Sequence, residues 1–371
     1  FFAASISGFS QDYFPVNTSV KTSASHYQAI TNATLHPAPN QQIDNGTILF
    51  KNGTIITLGQ NINIPENTLI HDYSGKHIYA SFVELHSNFG IKSETAGARR
   101  GRSTQYDANR EGYYWNDHIQ SDYNGINDYS YDKSGAKQLR DAGFGVVNSH
   151  RTEGIHRGTS VFVALNDMDT DAIRLLDEKA AQHLSFTKSN QSSQYYPGSI
   201  MGAMALLRQF FHDADWYKKG GASNKDLAIE AFNSNKNLPA FFEAKNKLDV
   251  ARAAKIGKEF GLPFTITASG KEYEHIQNLK DLNATLLVPV NFPDGYDVTD
   301  PVSTQKIALS DMRYWNQAPM NPAEIAKGGI PFAFTSNGLS DKTALLKNIK
   351  KAINYGLDKE KALAALTTTP A

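Results

Sequence analysis

Glu84, His86 and Asn88 alternate along the stretch Ile78 to Gly90, IYASFVELHSNFG, which reads as a buried strand entering a polar, histidine-bearing end. Side chains two positions apart on a strand share a face. A carboxylate, an imidazole and an amide therefore point the same way. Two imidazoles at that spacing would hold a divalent metal, so one imidazole beside an amide reads as a metal site partly dismantled. Other strand ends supply the remaining candidates. GVVNSH (Gly145 to His150) ends on His150 and runs into Arg151, Glu153, His156 and Arg157, a cluster suited to an anionic ligand or to a satisfied polar loop. PAFFEAK ends with Glu243 and Lys245, FTITASGKE with Ser269, Gly270 and Glu272, and FAFTSNG with Ser336 and Asn337.

The elements that must position these groups are legible in outline. Residues 29–75 alternate and turn repeatedly, and Asn52-Gly53 between alternating runs is a hairpin signal, so a small β module is expected there. After Ile78 short apolar runs alternate with amphipathic helices. Strands are expected at Gly145–His150, Ser160–Leu165, Pro239–Ala244, Pro263–Ala268, Thr285–Val290 and Pro331–Thr335. Helices are expected over Ile200–Lys218, Leu248–Phe260, Tyr273–Leu282 and Lys342–Tyr355. This repeated strand–helix order implies an α/β fold with a parallel sheet, and the number of repeats favours a closed (β/α)8 TIM-type barrel over residues 76–371. In such a barrel, reactive groups sit at the carboxyl ends of the strands. The stretch from Gly90 to Lys133 is rich in Tyr, Asn, Asp and Gly and reads as a long loop over the barrel mouth. Its aromatic part, 106–131, offers a peptide- or sugar-binding surface or a face for a partner domain.

Composition excludes several classes. Lys+Arg and Asp+Glu both number 37 among 371 residues, so no net field recruits nucleic acid or an anionic membrane. Cysteine is absent, which removes disulfides, thiolate metal ligands and a cysteine nucleophile. No run is long enough to span a bilayer. The opening FFAASISGFSQ is apolar and small, like the end of a signal peptide. Residues 1–10 are therefore expected to be a signal remnant of an exported protein, and 11–28 a surface-wrapping segment.

Taken in order, NGTIITLG, GKHIYASFVELHSN, WNDHIQSDYNGIND, LRDAGFGVVNSHRTEGIHRGTSVFVAL, LPAFFEAKNKLDVARAAKIGKEFGLPFTI and GLDKEKALAALTTTPA resemble segments of the amidohydrolase superfamily, in particular its imidazolonepropionase-like branch. The resemblance runs from about Ile30 to the end. It implies a metal-dependent-hydrolase barrel with a small β-sandwich module, incomplete here, and one or two divalent metals such as zinc. These activate water against a C–N bond, usually of a cyclic amide.

Residue by residue, the resemblance places the family's ligand positions on His86, Asn88, Glu243, Lys245 and Ser269, and its general base on Asn337. Asn is a poor substitute for a nitrogen donor, Ser ligates only when deprotonated, Lys places a cation against the metal, and Asn337 cannot take a proton. Only His86 and Glu243 remain plausible ligands, and no cofactor is expected in this chain. The start, the stripped ligands and the Thr-Thr-Thr-Pro-Ala end together resemble the first unit of long exported bacterial tandem amidohydrolases. The expected partner is then a downstream amidohydrolase-like unit of the same polypeptide. A small-molecule or peptide ligand of a non-catalytic domain is the alternative.

Overall fold

The computed structural model describes residues 27–92, 110–167 and 171–371, and the chain divides into two units between Ala80 and Ser81. The expected signal remnant at 1–10, nearly all of the segment at 11–28, and residues 106–109 of the aromatic stretch lie outside the described residues.

The first unit is a five-stranded sheet. Its centre is β1 (Gln28–His36), paired antiparallel with β2 (Ile43–Lys51) and parallel with both β4 (Leu69–Asp72) and β5 (His77–Tyr79). The strand β3 (Thr54–Gly59) returns antiparallel on β2 through a two-residue turn. Asn52 and Gly53 take φ of 52° and 77° there, the left-handed pair that a tight hairpin needs and that Asn and Gly tolerate best. Ala29, Ala33, Leu35 and Leu49 form the buried side of this sheet, while Ile55, Ile56, Leu69 and Ile70 stay exposed. The described residues make one layer, not the two of a sandwich.

The second unit contains two sheets. In the first, β6 (Phe82–Ser87) pairs parallel with β7 (Phe144–Ser149), which pairs antiparallel with β9 (Val161–Ala164), followed by β10 (Leu175–Asp177). In the second, β8 (His156–Thr159) lies antiparallel on β11 (Gln182–Ser185). From β11 the sheet runs parallel through β12 (Ala240–Glu243), β13 (Phe264–Thr267), β14 (Thr285–Pro289) and β15 (Phe332–Thr335). Each parallel step is bridged by helix, as parallel pairing requires. The expected Ser160–Leu165 strand is present as β9, but it runs antiparallel to its neighbour.

The helix Lys247–Phe260 shows how these crossovers are specified. Asn246 caps its start by accepting from Leu248 N and Asp249 N, both at 3.0 Å, and Gly261 ends it in the left-handed region at φ 64°. Val250, Ala253, Ala254 and Gly257 recur at helical spacing and are buried. The expected helix Tyr273–Leu282 is shorter, a 3₁₀ turn at Glu272–Glu274 and then Ile276–Asp281. The cause is local. Tyr273 N donates to Asn321 Oδ1 at 2.8 Å, and the Glu272 carboxylate is bound to the preceding turn.

Most of the core lies between sheets and helices. A second, small apolar cluster joins Ala181, Phe241, Leu287 and Ala333, with Leu85 packed against it. It draws on the strands of both sheets, and it is the floor on which the polar groups rest.

Candidate functional site

Three imidazoles gather above that floor. His86 lies near the end of β6, His150 follows β7, and His183 sits within β11. All three are buried, with a ring nitrogen of each within 4.8 Å of the others. His183 stacks on Phe241 with centroids 5.1 Å apart, and His150 stacks on His183 at 3.7 Å and 12°.

Hydrogen bonding fixes their tautomers. His150 Nδ1 faces the Arg151 carbonyl at 2.7 Å, so it carries the proton and leaves Nε2 bare. That Nε2 lies 3.0 Å from His86 Nδ1, which must donate. His86 Nε2 is therefore a bare acceptor. His183 Nε2 accepts from Asn148 Nδ2 at 3.3 Å.

The three ring nitrogens lie close enough together to hold a metal ion, and the ring orientations set the condition for it. A metal needs lone pairs that lie in each ring plane and meet at one point. Here two rings are stacked face to face, and the inward lone pairs of His150 and His183 already accept hydrogen bonds. His86 and His150 bond to each other and His183 bonds to Asn148, so a metal held by all three rings needs at least one of them to turn.

Burial pulls the His86 imidazole down to about 4, partly offset by Glu243 and reinforced by Arg157. Burial also holds His150 and His183 well below the ordinary histidine range, with neighbouring imidazoles and Arg157 adding to the effect. The cluster is neutral at pH 7.

The charge in the site belongs to Arg157 and Glu243. Arg157 Nη1 donates to Glu243 Oε2 at 2.7 Å, and the same oxygen lies 3.6 Å from His86 Nε2. Burial pushes the Glu243 carboxyl up, but the guanidinium outweighs it and holds the group below its ordinary value.

Of the ligand and base positions that the resemblance nominated, the structure brings together His86 and Glu243, and of the run after β7 it adds His150 and Arg157 to them. Asn88 lies beyond the end of β6 and is exposed, and Lys245 is exposed beyond β12. Ser269 is bound to Glu272, with its N and Oγ donating at 2.6 and 2.7 Å. Asn337 donates its backbone N to Thr335 Oγ1 at 3.1 Å. Asn88 and Asn337 border, with His86, His150 and Lys342, a cavity of about 600 Å³ at the ends of β6, β7 and β15. Glu84, on the same strand as His86, is fully buried under β15.

The run after His150 is consumed internally. Arg151 Nη1 donates to Gln120 Oε1 at 2.6 Å, Glu153 accepts from Asn190 N at 3.1 Å, and His156 is buried between Phe210 and Phe232. The aromatic stretch is also taken into the fold. Tyr114 is buried and donates to Asp213 at 2.7 Å, and Trp115 stacks on Tyr196. His183 was not nominated at all. The available signal was the AAQHLSF run, where His183 and Ser185 alternate with Gln182 and Leu184.

The fold thus joins parallel strand–helix steps to polar groups at strand ends, an α/β architecture. No protein-family profile and no curated protein matches the chain. Among solved structures, an amidohydrolase from Thermotoga maritima MSB8 aligns with a TM-score of 0.69 and 20% identity, over 93% of this chain and 88% of that one. A prolidase crystallised with N-methylphosphonate-L-proline aligns with a TM-score of 0.50 and 11% identity, over 93% and 86%. Another amidohydrolase gives a TM-score of 0.50 and 11% identity, over 92% and 86%. At these identities the likeness is one of fold: the α/β fold of this chain is that of amidohydrolase-type enzymes.

Proposed function

We propose that this chain is an amidohydrolase-type unit without a catalytic metal of its own. On this reading it supports a partner unit of the same class that hydrolyses a C–N bond in a non-peptide, cyclic-amide substrate. The observation that carries the reading is the Arg157–Glu243 pair. Glu243 is the one carboxylate among the family's ligand positions, and a buried guanidinium neutralises it. Asn88 and Lys245 are exposed, Ser269 is tied into a turn, and no carboxylate stands at Asn337 to relay a proton.

Closure of the second unit into a (β/α)8 barrel belongs to the same proposal. Two links between the sheets support it, the first joining an edge strand of each. Glu84 on β6 accepts from Thr335 Oγ1 on β15 at 2.7 Å, and Asn148 on β7 donates to His183 on β11.

Metal analysis of the purified chain, with a panel of cyclic amides as substrates, tests the reading. Substoichiometric zinc and no hydrolysis are expected. One tightly held equivalent, with turnover lost in His86→Ala, would overturn it.

A second reading rests on Asn148 Oδ1, which is buried beside the cluster with no hydrogen-bond partner. An orphaned acceptor there favours a cation held by His86, His150 and His183 after one imidazole turns. Such a cation would act as a Lewis acid and activate water. His183→Ala separates the two readings, because only the second predicts that it removes bound metal.

A further inference from the structure

Two acceptors bind the Arg157 guanidinium, and an imidazole nitrogen stands beside one of them. Nη1 donates to Glu243 Oε2 at 2.7 Å and Nε donates to Gly154 O at 3.2 Å, while bare His86 Nε2 lies 3.6 Å from the same carboxylate oxygen. A bare imidazole nitrogen and a carboxylate oxygen at that separation have the spacing of two ligands on one divalent ion. Metal–N and metal–O bonds of about 2.0–2.2 Å put neighbouring tetrahedral ligands about 3.4 Å apart. The cation present there is instead a guanidinium whose side chain is 1% exposed. Arginine is almost never buried so completely unless it is paired.

We infer that Arg157 takes the place of a divalent cation, closing a latent metal site made of His86 Nε2 and the Glu243 carboxylate. The inference rests on the reading that this unit holds no catalytic metal, and it names the residue responsible. Charge makes the two cations exclusive. A divalent ion on Glu243 would sit within a few ångströms of a guanidinium bound to the same oxygen, in a partly desolvated site where like charges repel strongly. Removing the guanidinium reverses the situation: it leaves the Glu243 carboxylate without its cation and with a bare imidazole nitrogen 3.6 Å away. Deleting one member of such a pair leaves an uncompensated charge, which a metal can then neutralise.

The test uses the 371-residue chain with Arg157→Met, Arg157→Lys and the double variant Arg157→Met, Glu243→Gln. Cobalt(II) alone is the probe, read by its visible absorption and by Tm with and without the ion. Wild type and R157K are expected to take up no cobalt. R157M is expected to melt below wild type, bind about one equivalent, and gain about 5 °C at a hundredfold excess over Kd. The double variant should show neither uptake nor gain. A folded R157M with no uptake and no Tm response overturns the inference and leaves the proposed function standing. Should R157M be unfolded without metal, refolding in cobalt supports the inference and failure to refold overturns it. Stoichiometric uptake by wild type that His183→Ala abolishes overturns the proposed function, and the inference with it.

Discussion

Glu84 and Thr335 are 251 positions apart and meet through a 2.7 Å hydrogen bond from the threonine hydroxyl to the carboxylate. The same carboxylate accepts from Ser336 N at 2.7 Å and from His86 N at 3.0 Å. One buried side chain thus ties the first strand of the second unit to its last and sets the height of His86. Replacing Glu84 with Ala strands three donors, and bonds to a charged acceptor are worth about 1.5–3 kcal/mol each. E84A should lose about 3–5 kcal/mol, and E84Q, which keeps the shape and part of the acceptor capacity, should lose less. Urea unfolding measures both. Equal stability of E84A and wild type would show that the strands are held together by other means.

Acid should weaken the fold through its buried histidines. Burial pulls His86 and His156 from 6.5 down to about 4. Between those values the unfolded chain binds protons that the folded chain refuses, so stability rises with pH across that window and is flat above it. Each group at full effect is worth roughly 3 kcal/mol, lost as pH falls from about 6.5 to about 4. The measurement is unfolding free energy at several pH values for wild type and His156→Leu. The variant should show a shallower slope by nearly one proton. An unchanged slope would mean that His156 is protonated in the native state.

How much of this was legible in the sequence depended on whether a signal was local. The Asn52-Gly53 hairpin and the helix Ile200–Lys218 were read directly, because turn chemistry and a 3.6-residue apolar period act within a few residues. His86 and Glu243 were found from strand ends and family resemblance. His183 was not, because β11 is four residues long and buries Gln182, His183 and Ser185 along with Leu184. A strand whose polar side chains face a polar interior has no apolar alternation to reveal it. Arg157 was read as part of a polar loop. Its role depends on Glu243, 86 positions away, and no local pattern encodes that pairing.

Gly158 should tolerate no side chain. Its φ is 75°, and an added Cβ would lie 2.1 Å from the Tyr123 carbonyl oxygen. That carbonyl is held in place by Thr159 N at 2.9 Å, so backbone meets backbone and cannot yield cheaply. G158A combines positive-φ strain with a clash beside Arg157, and a loss of at least about 2 kcal/mol is expected. Thermal melting checks it. A Tm within error of wild type would contradict the close approach of these two segments.

Ser269→His is the substitution that the family resemblance invites, since it restores a histidine at a ligand position. The structure predicts that it fails. The Glu272 carboxylate is 1% exposed and accepts from Ser269 N, Ser269 Oγ, Gly270 N and Asn321 Nδ2, at 2.6 to 3.0 Å. Removing the hydroxyl costs one charge-assisted bond, about 1.5–3 kcal/mol, and an imidazole does not fit where that oxygen sits. It also stands beside a clamp of four hydrogen bonds that holds the turn in place. S269H should therefore be less stable and take up no more zinc than wild type, as read by urea unfolding and metal analysis of the same preparation. One equivalent of zinc bound by a fully stable S269H would mean that the turn can swing inward, and that a single residue separates this unit from a metal-binding one.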